Sequence, residues 1–150
     1  MKQITLEEKR VAGLSVRTNN ASEMNQETAK IGVLHQTFAQ QATVSYEKGA
    51  CLYGAYYQYE SDYTGDFSVL VGAEPDMVES NTELEHVVLP AGDYLVFSGE
   101  GEMPQVVIDV WQEIWRYFSS DDCVHRRAYT VDFECYTSEN SVDVYIAVKP

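Results

Sequence analysis

One order of elements occurs twice along this chain, and that recurrence limits the folds open to it more than any compositional figure does. A loosely alternating segment, Val11 to Val16, precedes a helical stretch, and two strand-like runs follow, CLYGAYYQYE from Cys51 and FSVLVGAE from Phe67. SDYTGD between those runs supplies Asp62, Gly65 and Asp66, residues that a hairpin connection favours. The pattern then returns as VVL at 87–89 and DYLVF at 93–97, a second helical stretch, and strands at about Ala128 to Tyr136 and Val142 to Val148. The polar run AEPDMVESNTELE, 73–85, reads as the join between the two halves.

Both helices are legible from period and caps. Ser22 is the expected N-cap of the first, with Glu23 and Glu27 favouring the positive end, and Ile31, Leu34 and Phe38 fall on one face, so it is predicted over Glu23 to Ala39. In the second, Pro104 suits a first turn and Val107, Val110, Trp111, Ile114 and Phe118 make an apolar stripe, which predicts Pro104 to Phe118. The helix starts, Ser22 and Met103, are 81 residues apart. Such an offset suggests an internal duplication, or two similar solutions to one packing problem, and a two-fold arrangement would place a cleft between the halves. Each helix would cover one sheet face, leaving the opposite faces to meet or to line that cleft.

At 150 residues the chain suits one domain rather than two. Its net charge of −14 repels a phosphate backbone, so nucleic acid is a poor partner and a cation a better one. Cys51, Cys123 and Cys135 are odd in number and lack Cys-x-x-Cys spacing, which argues against a disulfide framework or zinc knot and for a reducing compartment. MKQITLEEKR has no apolar signal core and no run reaches bilayer length, so the expectation is a cytoplasmic protein with no membrane contact.

The chemistry concentrates in aromatic residues, among which 11 of the side chains are tyrosine. In TVDFECY, alternation puts Phe133 and Cys135 on one face and Asp132, Glu134 and Tyr136 on the other. That polar face either meets water or sets Glu134 at the bottom of an aromatic pocket, where tyrosine hydroxyls hold it ionised and a large apolar cation is attracted by rings and carboxylate together. Further rings could come from Tyr57 and Tyr59, which alternation places with Tyr53 and opposite Tyr56, and from Trp111 and Trp115 on the second helix, Trp111 also being suited to the core. An enzyme has less material: His35, His86 and His125 are isolated, no nucleophile elbow or phosphate loop is present, and no spacing selects a carboxylate pair. Asp121, Asp122, Cys123 and His125 are grouped, but acidic loops are common, and neither a metal nor a cofactor is expected.

The stretches LYGAYYQYESDYTGDFSVLVG, LPAGDYLVFSGEGEMPQVVIDVWQEIW, and VDFECY followed by VDVYIAV resemble the GyrI-like, or AraC-type, effector-binding domains, in particular the stand-alone effector-binding proteins of integron cassettes. The resemblance implies an α+β fold of duplicated β-α-β-β modules, about 9–75 and 85–150 of a single domain spanning 1–150, with pseudo-two-fold symmetry and a central ligand cleft. It also implies a multidrug-binding site for lipophilic cations in which Glu134 is the recognising acid, accompanied by Tyr136, Tyr57, Tyr59, Trp111 and Trp115. Many relatives join this module to a DNA-binding helix-turn-helix, for which residues 1–9 leave no room. Three functions follow as expectations: a non-catalytic binder of small amphipathic cations, a protein-interaction module of gyrase-inhibitor type that contacts a protein partner or its own copies, and a small-molecule hydrolase on the same fold.

Overall fold

The computed structural model describes every residue, Met1–Pro150. The strands are β1 Lys2–Leu6, β2 Lys9–Thr18, β3 Ala42–Val44, β4 Leu52–Tyr57, β5 Phe67–Ala73, β6 Val78–Ser80, β7 Glu85–Leu89, β8 Gly92–Glu100, β9 Val131–Ser138 and β10 Ser141–Ala147. The helices are α1 Asn20–Glu23, α2 Ile31–Gln41 and α3 Gln105–Ser119. Eight strands form one antiparallel sheet in the order β1-β8-β10-β9-β4-β5-β2-β7, curled into a half-barrel, and β3 pairs with β6 in a small second sheet.

That order is symmetric about the β9–β4 ladder. Outward from it run β10 and β8 on one side and β5 and β2 on the other, so β2-α2-β4-β5 and β8-α3-β9-β10 are equivalent modules. The edges are exchanged between them: β1, which leads into β2, pairs with β8, while β7, which leads into β8, pairs with β2. Gly13 faces Gly72 in the β2–β5 ladder, and a Cβ on either would meet the opposing backbone at 2.0 Å or less, so the strands approach there only because both lack a side chain.

Both helices cover the same face of this continuous sheet. Val106, Val110 and Ile114 of α3 pack on Leu95, Phe97, Val142, Val144 and Ile146, while Leu34 and Phe38 of α2 pack on Phe67, Val69 and Val71. On the helix-free face a third cluster joins Tyr53, Ala55, Leu70, Leu89, Tyr94 and Phe133. This corrects the expectation that the faces opposite the helices meet or line a cleft: the modules share one unbroken sheet, and both helices lie on the same face of it.

The first helix is shorter than its period predicts. Asn19, not Ser22, caps the short α1, accepting the Ser22 N–H at 2.8 Å. Asn25 and Thr28 then bond to nearby backbone, Asn25 accepting from the Glu27 N–H and Thr28 donating to the Ser22 carbonyl, an alternative to helix that such side chains favour. The Glu23 carboxylate accepts the Lys30 and Ile31 N–H groups at 2.8 and 3.1 Å, satisfying orphan donors at the start of α2 from outside the helix. The polar join also carries structure, since Val78–Ser80 within it forms β6. No helix is long and apolar enough to cross a membrane.

Candidate functional site

The central ladder sets Glu134 in an apolar row. Register places Phe97, Val144, Glu134, Gly54, Val71 and Leu14 side by side across six strands on the helix-bearing face. Val144 lies under α3 and Val71 under α2, so the carboxylate falls in the gap between the helices. Space for it comes from its cross-strand neighbour, because a Cβ on Gly54 would stand 2.8 Å from Glu134 Oε1.

Three neutral donors hold the carboxylate. Tyr56 Oη–H and Trp111 Nε1–H both donate to Oε2, at 2.8 and 2.7 Å, and Tyr136 Oη–H donates to Oε1 at 2.9 Å. Glu134 is only 3% exposed, and of the two ion pairs in the chain neither includes it. Burial pushes its pKa up, and the bonds from Trp111, Tyr56 and Tyr136 pull it back in part. The hydroxyls of Tyr56 and Tyr136 are pushed well up by burial and by the adjacent Glu134 charge, which keeps them protonated and able to donate.

The donors themselves obey the two-fold relation. Gly54-Ala55-Tyr56 and Glu134-Cys135-Tyr136 occupy matching positions on β4 and β9, so the two tyrosines reach the same carboxylate from opposite sides. On the helices, Leu34 and Phe38 match Val110 and Ile114, which makes His35 the counterpart of Trp111. Trp111 meets the Tyr56 ring edge-on at 5.2 Å, and His35 meets Tyr136 likewise at 5.9 Å. Burial lowers the His35 pKa, favouring the neutral ring. Trp115 lies farther out, 42% exposed, its ring 6.1 Å from that of Trp111.

Of the residues singled out in the sequence, Glu134, Tyr136 and Trp111 are brought together and Trp115 stands at their rim. Within β4 Tyr53 and Tyr57 lie opposite Tyr56 as alternation predicts, but it is the Tyr56 face, not the Tyr57 face, that carries Glu134. Tyr56 bonds Glu134, whereas Tyr57 packs on the helix-free face, where it lines a cleft of about 750 Å³ with Ser15, Gln58 and Glu85. The alternation breaks at Gln58, whose φ of 52° turns the chain and returns Tyr59 to the Glu134 side. There Tyr59 reaches the neighbouring acid, Asp132, at 2.6 Å rather than Glu134. Asp132 is fully buried and also takes Arg127 Nη2 at 2.7 Å and the Ala147 N–H at 2.8 Å. Tyr56, His35 and Gly54 are not among the expected site residues; Tyr56 and Gly54 share one offset with Tyr136 and Glu134, whereas His35 matches Trp111 only through the two-fold relation of the fold.

Comparison with known proteins agrees along the whole chain. The family model of integron-associated effector binding proteins matches residues 4–148. An integron cassette protein from the mobile metagenome of Vibrio cholerae superimposes with a TM-score of 0.87 at 42% identity, covering 99% of this chain and 95% of its own. YobU of Bacillus subtilis (strain 168), which carries a provisional transcriptional-regulator name, is 33% identical over 96% of this chain and 94% of its own length. A more distant structure, SAV2435 bound to tetraphenylphosphonium, shares the fold with a TM-score of 0.64 at 18% identity, over 99% of this chain and 93% of that one.

Proposed function

The chain belongs to the family of integron-associated effector binding proteins, and on that premise we propose that it is a non-catalytic receptor for small lipophilic cations, with Glu134 as the recognising acid. One observation carries the reading: a buried carboxylate is held by three neutral donors and has no protein countercharge. Buried charges are ordinarily paired, and a ligand cation between the rings of Trp111, Tyr56 and Tyr136 supplies the missing partner. The rings contribute about 1–2 kcal/mol each once water is excluded, and they suit a cation too large and apolar to hold its own hydration shell. SAV2435, on the same fold, binds a cation of that kind.

Reaching Glu134 requires the aromatic cover to part. Trp115 and Trp111 are the side chains to move, because they lie on α3 with Trp115 already partly exposed, whereas Tyr56 and Tyr136 are fixed on the central strands. The hydrolase reading needs a second free acid beside Glu134. Asp132, two residues away on the same strand, is committed to Arg127, Tyr59 and the Ala147 N–H, so binding is the better supported role.

The test is calorimetric titration with tetraphenylphosphonium, its shape-matched anion tetraphenylborate, and neutral triphenylphosphine oxide. Saturable binding near one per chain for the cation alone is expected. Equal binding of the borate, or no saturable heat from the cation, overturns the proposal.

A further inference from the structure

Two residues from Glu134 along β9, the second buried acid leaves an unusual remainder. Asp132 Oδ1 accepts the Ala147 N–H, and Oδ2 accepts both Tyr59 Oη–H and Arg127 Nη2–H. Nη2 is the one guanidinium nitrogen that donates to Asp132, so the pair lacks the side-on, two-bond form that Arg–carboxylate pairs commonly take. Arg127 Nε is consequently buried without any hydrogen-bond partner, on a side chain only 7% exposed. An orphaned, charge-assisted donor in the interior is rare and costly, and it calls for an acceptor the chain itself does not provide.

The guanidinium adjoins the aromatic surface that covers Glu134. Ring follows ring at centroid separations of 6.1, 5.2, 5.7, 5.9 and 5.5 Å from Trp115 through Trp111, Tyr56, Phe67 and Tyr59 to Tyr129. Arg127 stacks on the last of these, 4.4 Å from its centroid. The φ of 52° at Tyr129, an uncommon value for a bulky residue, accompanies this placement. At the second and third of these rings Glu134 lacks a cation, and at the last Arg127 lacks an acceptor.

We infer that the ligand of this site is bipolar: an aromatic amphiphile whose cation pairs with Glu134 and whose carboxylate or carbonyl, at the other end, accepts from Arg127 Nε. The inference rests on the proposed role of Glu134. Two strand residues span about 6.6 Å, and one hydrogen bond adds about 3 Å, so the two ligand groups are about 7–10 Å apart. Arg127 thereby sets specificity within the wider class of lipophilic cations, preferring those that carry a polar tail of that length.

Two probes of equal bulk separate the possibilities. Pentyltriphenylphosphonium carries the cation and an apolar tail, and carboxybutyltriphenylphosphonium replaces the tail's end with a carboxylate at about the required distance. The net charge of −14 disfavours an added anion, so without a specific donor the carboxylated probe binds more weakly. The expected result is that it binds the natural protein about tenfold more tightly than the pentyl probe, and that Arg127→Lys (R127K), which keeps a positive charge beside Asp132 but lacks Nε–H, abolishes the preference while holding pentyl-probe affinity within about twofold. Saturable binding of both probes without preference for the carboxylate overturns the inference alone and assigns the Nε donor to water. A preference that survives R127K places the acceptor elsewhere and also overturns it. If neither probe saturates, the Glu134 reading fails and this one with it. The comparison on the natural protein stands even if R127K does not fold.

Discussion

Replacing Glu134 with glutamine separates charge from shape at the centre of the site. Tyr56 and Trp111 both donate to Oε2, and an indole N–H can only donate, so E134Q keeps its carbonyl oxygen there and loses neither bond. Its amide nitrogen then faces Tyr136, whose hydroxyl turns from donor to acceptor without leaving its place. The variant therefore folds with all three contacts formed. A cation centred about 5.5 Å from the carboxylate gains about 3 kcal/mol at an effective dielectric of about 20, a factor of about 150 in Kd. Stability moves the other way. Because burial raises the carboxyl pKa, the stability tied to Glu134 is fully present below the ordinary value of 4.5 and is lost as pH rises through the elevated one. E134Q escapes that loss, so it melts no lower than the natural protein at neutral pH, and its advantage shrinks toward about pH 4. Calorimetry with tetraphenylphosphonium and triphenylphosphine oxide, paired with thermal melts across pH, reads both effects. The reasoning is refuted if E134Q binds the cation within threefold of the natural protein, or if the neutral molecule is weakened as much as the cation.

Gly54→Ala pushes a methyl to 2.8 Å from Glu134 Oε1 and breaks the Tyr136 bond, at a cost of about 1–2 kcal/mol in melts, with weaker cation binding; unchanged values for both contradict this. Asp132→Asn leaves the buried Arg127 guanidinium without its countercharge and lowers stability by about 3–5 kcal/mol, whereas E74Q, which breaks the half-exposed Lys9–Glu74 pair, costs less than about 1 kcal/mol. Urea titration ranks the two, and equal losses would show that burial does not set the difference. His35 is held neutral by burial, so its stability contribution is present above the ordinary value of 6.5 and is lost as pH falls below it. His35→Phe keeps an aromatic edge against Tyr136 and should flatten the melting temperature between about pH 7 and pH 5, and an undiminished slope would assign the pH response to another group.

What the sequence disclosed and what it withheld divide along local and non-local causes. The α3 stripe and the facing of Glu134 are set by unbroken periods, because Gln105–Ser119 is regular helix and β9 alternates through Asp132, Glu134 and Tyr136. The grouping of Tyr57 with Tyr59 failed because a single positive φ at Gln58 shifts the alternation by one, and glutamine gives no warning of it. The first helix is shorter than its period implies because Asn25 and Thr28 compete for its backbone while Glu23 caps α2 from a distance. Strand β1 has only the alternation of Ile4 and Leu6 to mark it locally, and its pairing partner, β8, is about ninety residues away. His35 gains meaning only through its correspondence with Trp111, which follows from the shared sheet order rather than from its own neighbours.

The crossed edge strands decide how this protein can breathe. Because β1 is laced to the second module and β7 to the first, drawing the modules apart would tear two outer ladders as well as the β4–β9 seam. If a bulky cation enters as proposed, the give must therefore come from α2 and α3 over this continuous floor, with Trp111 and Trp115 carried on α3. On that proposal, a filled and an empty site would differ at the outer surfaces of those two helices rather than along the sheet.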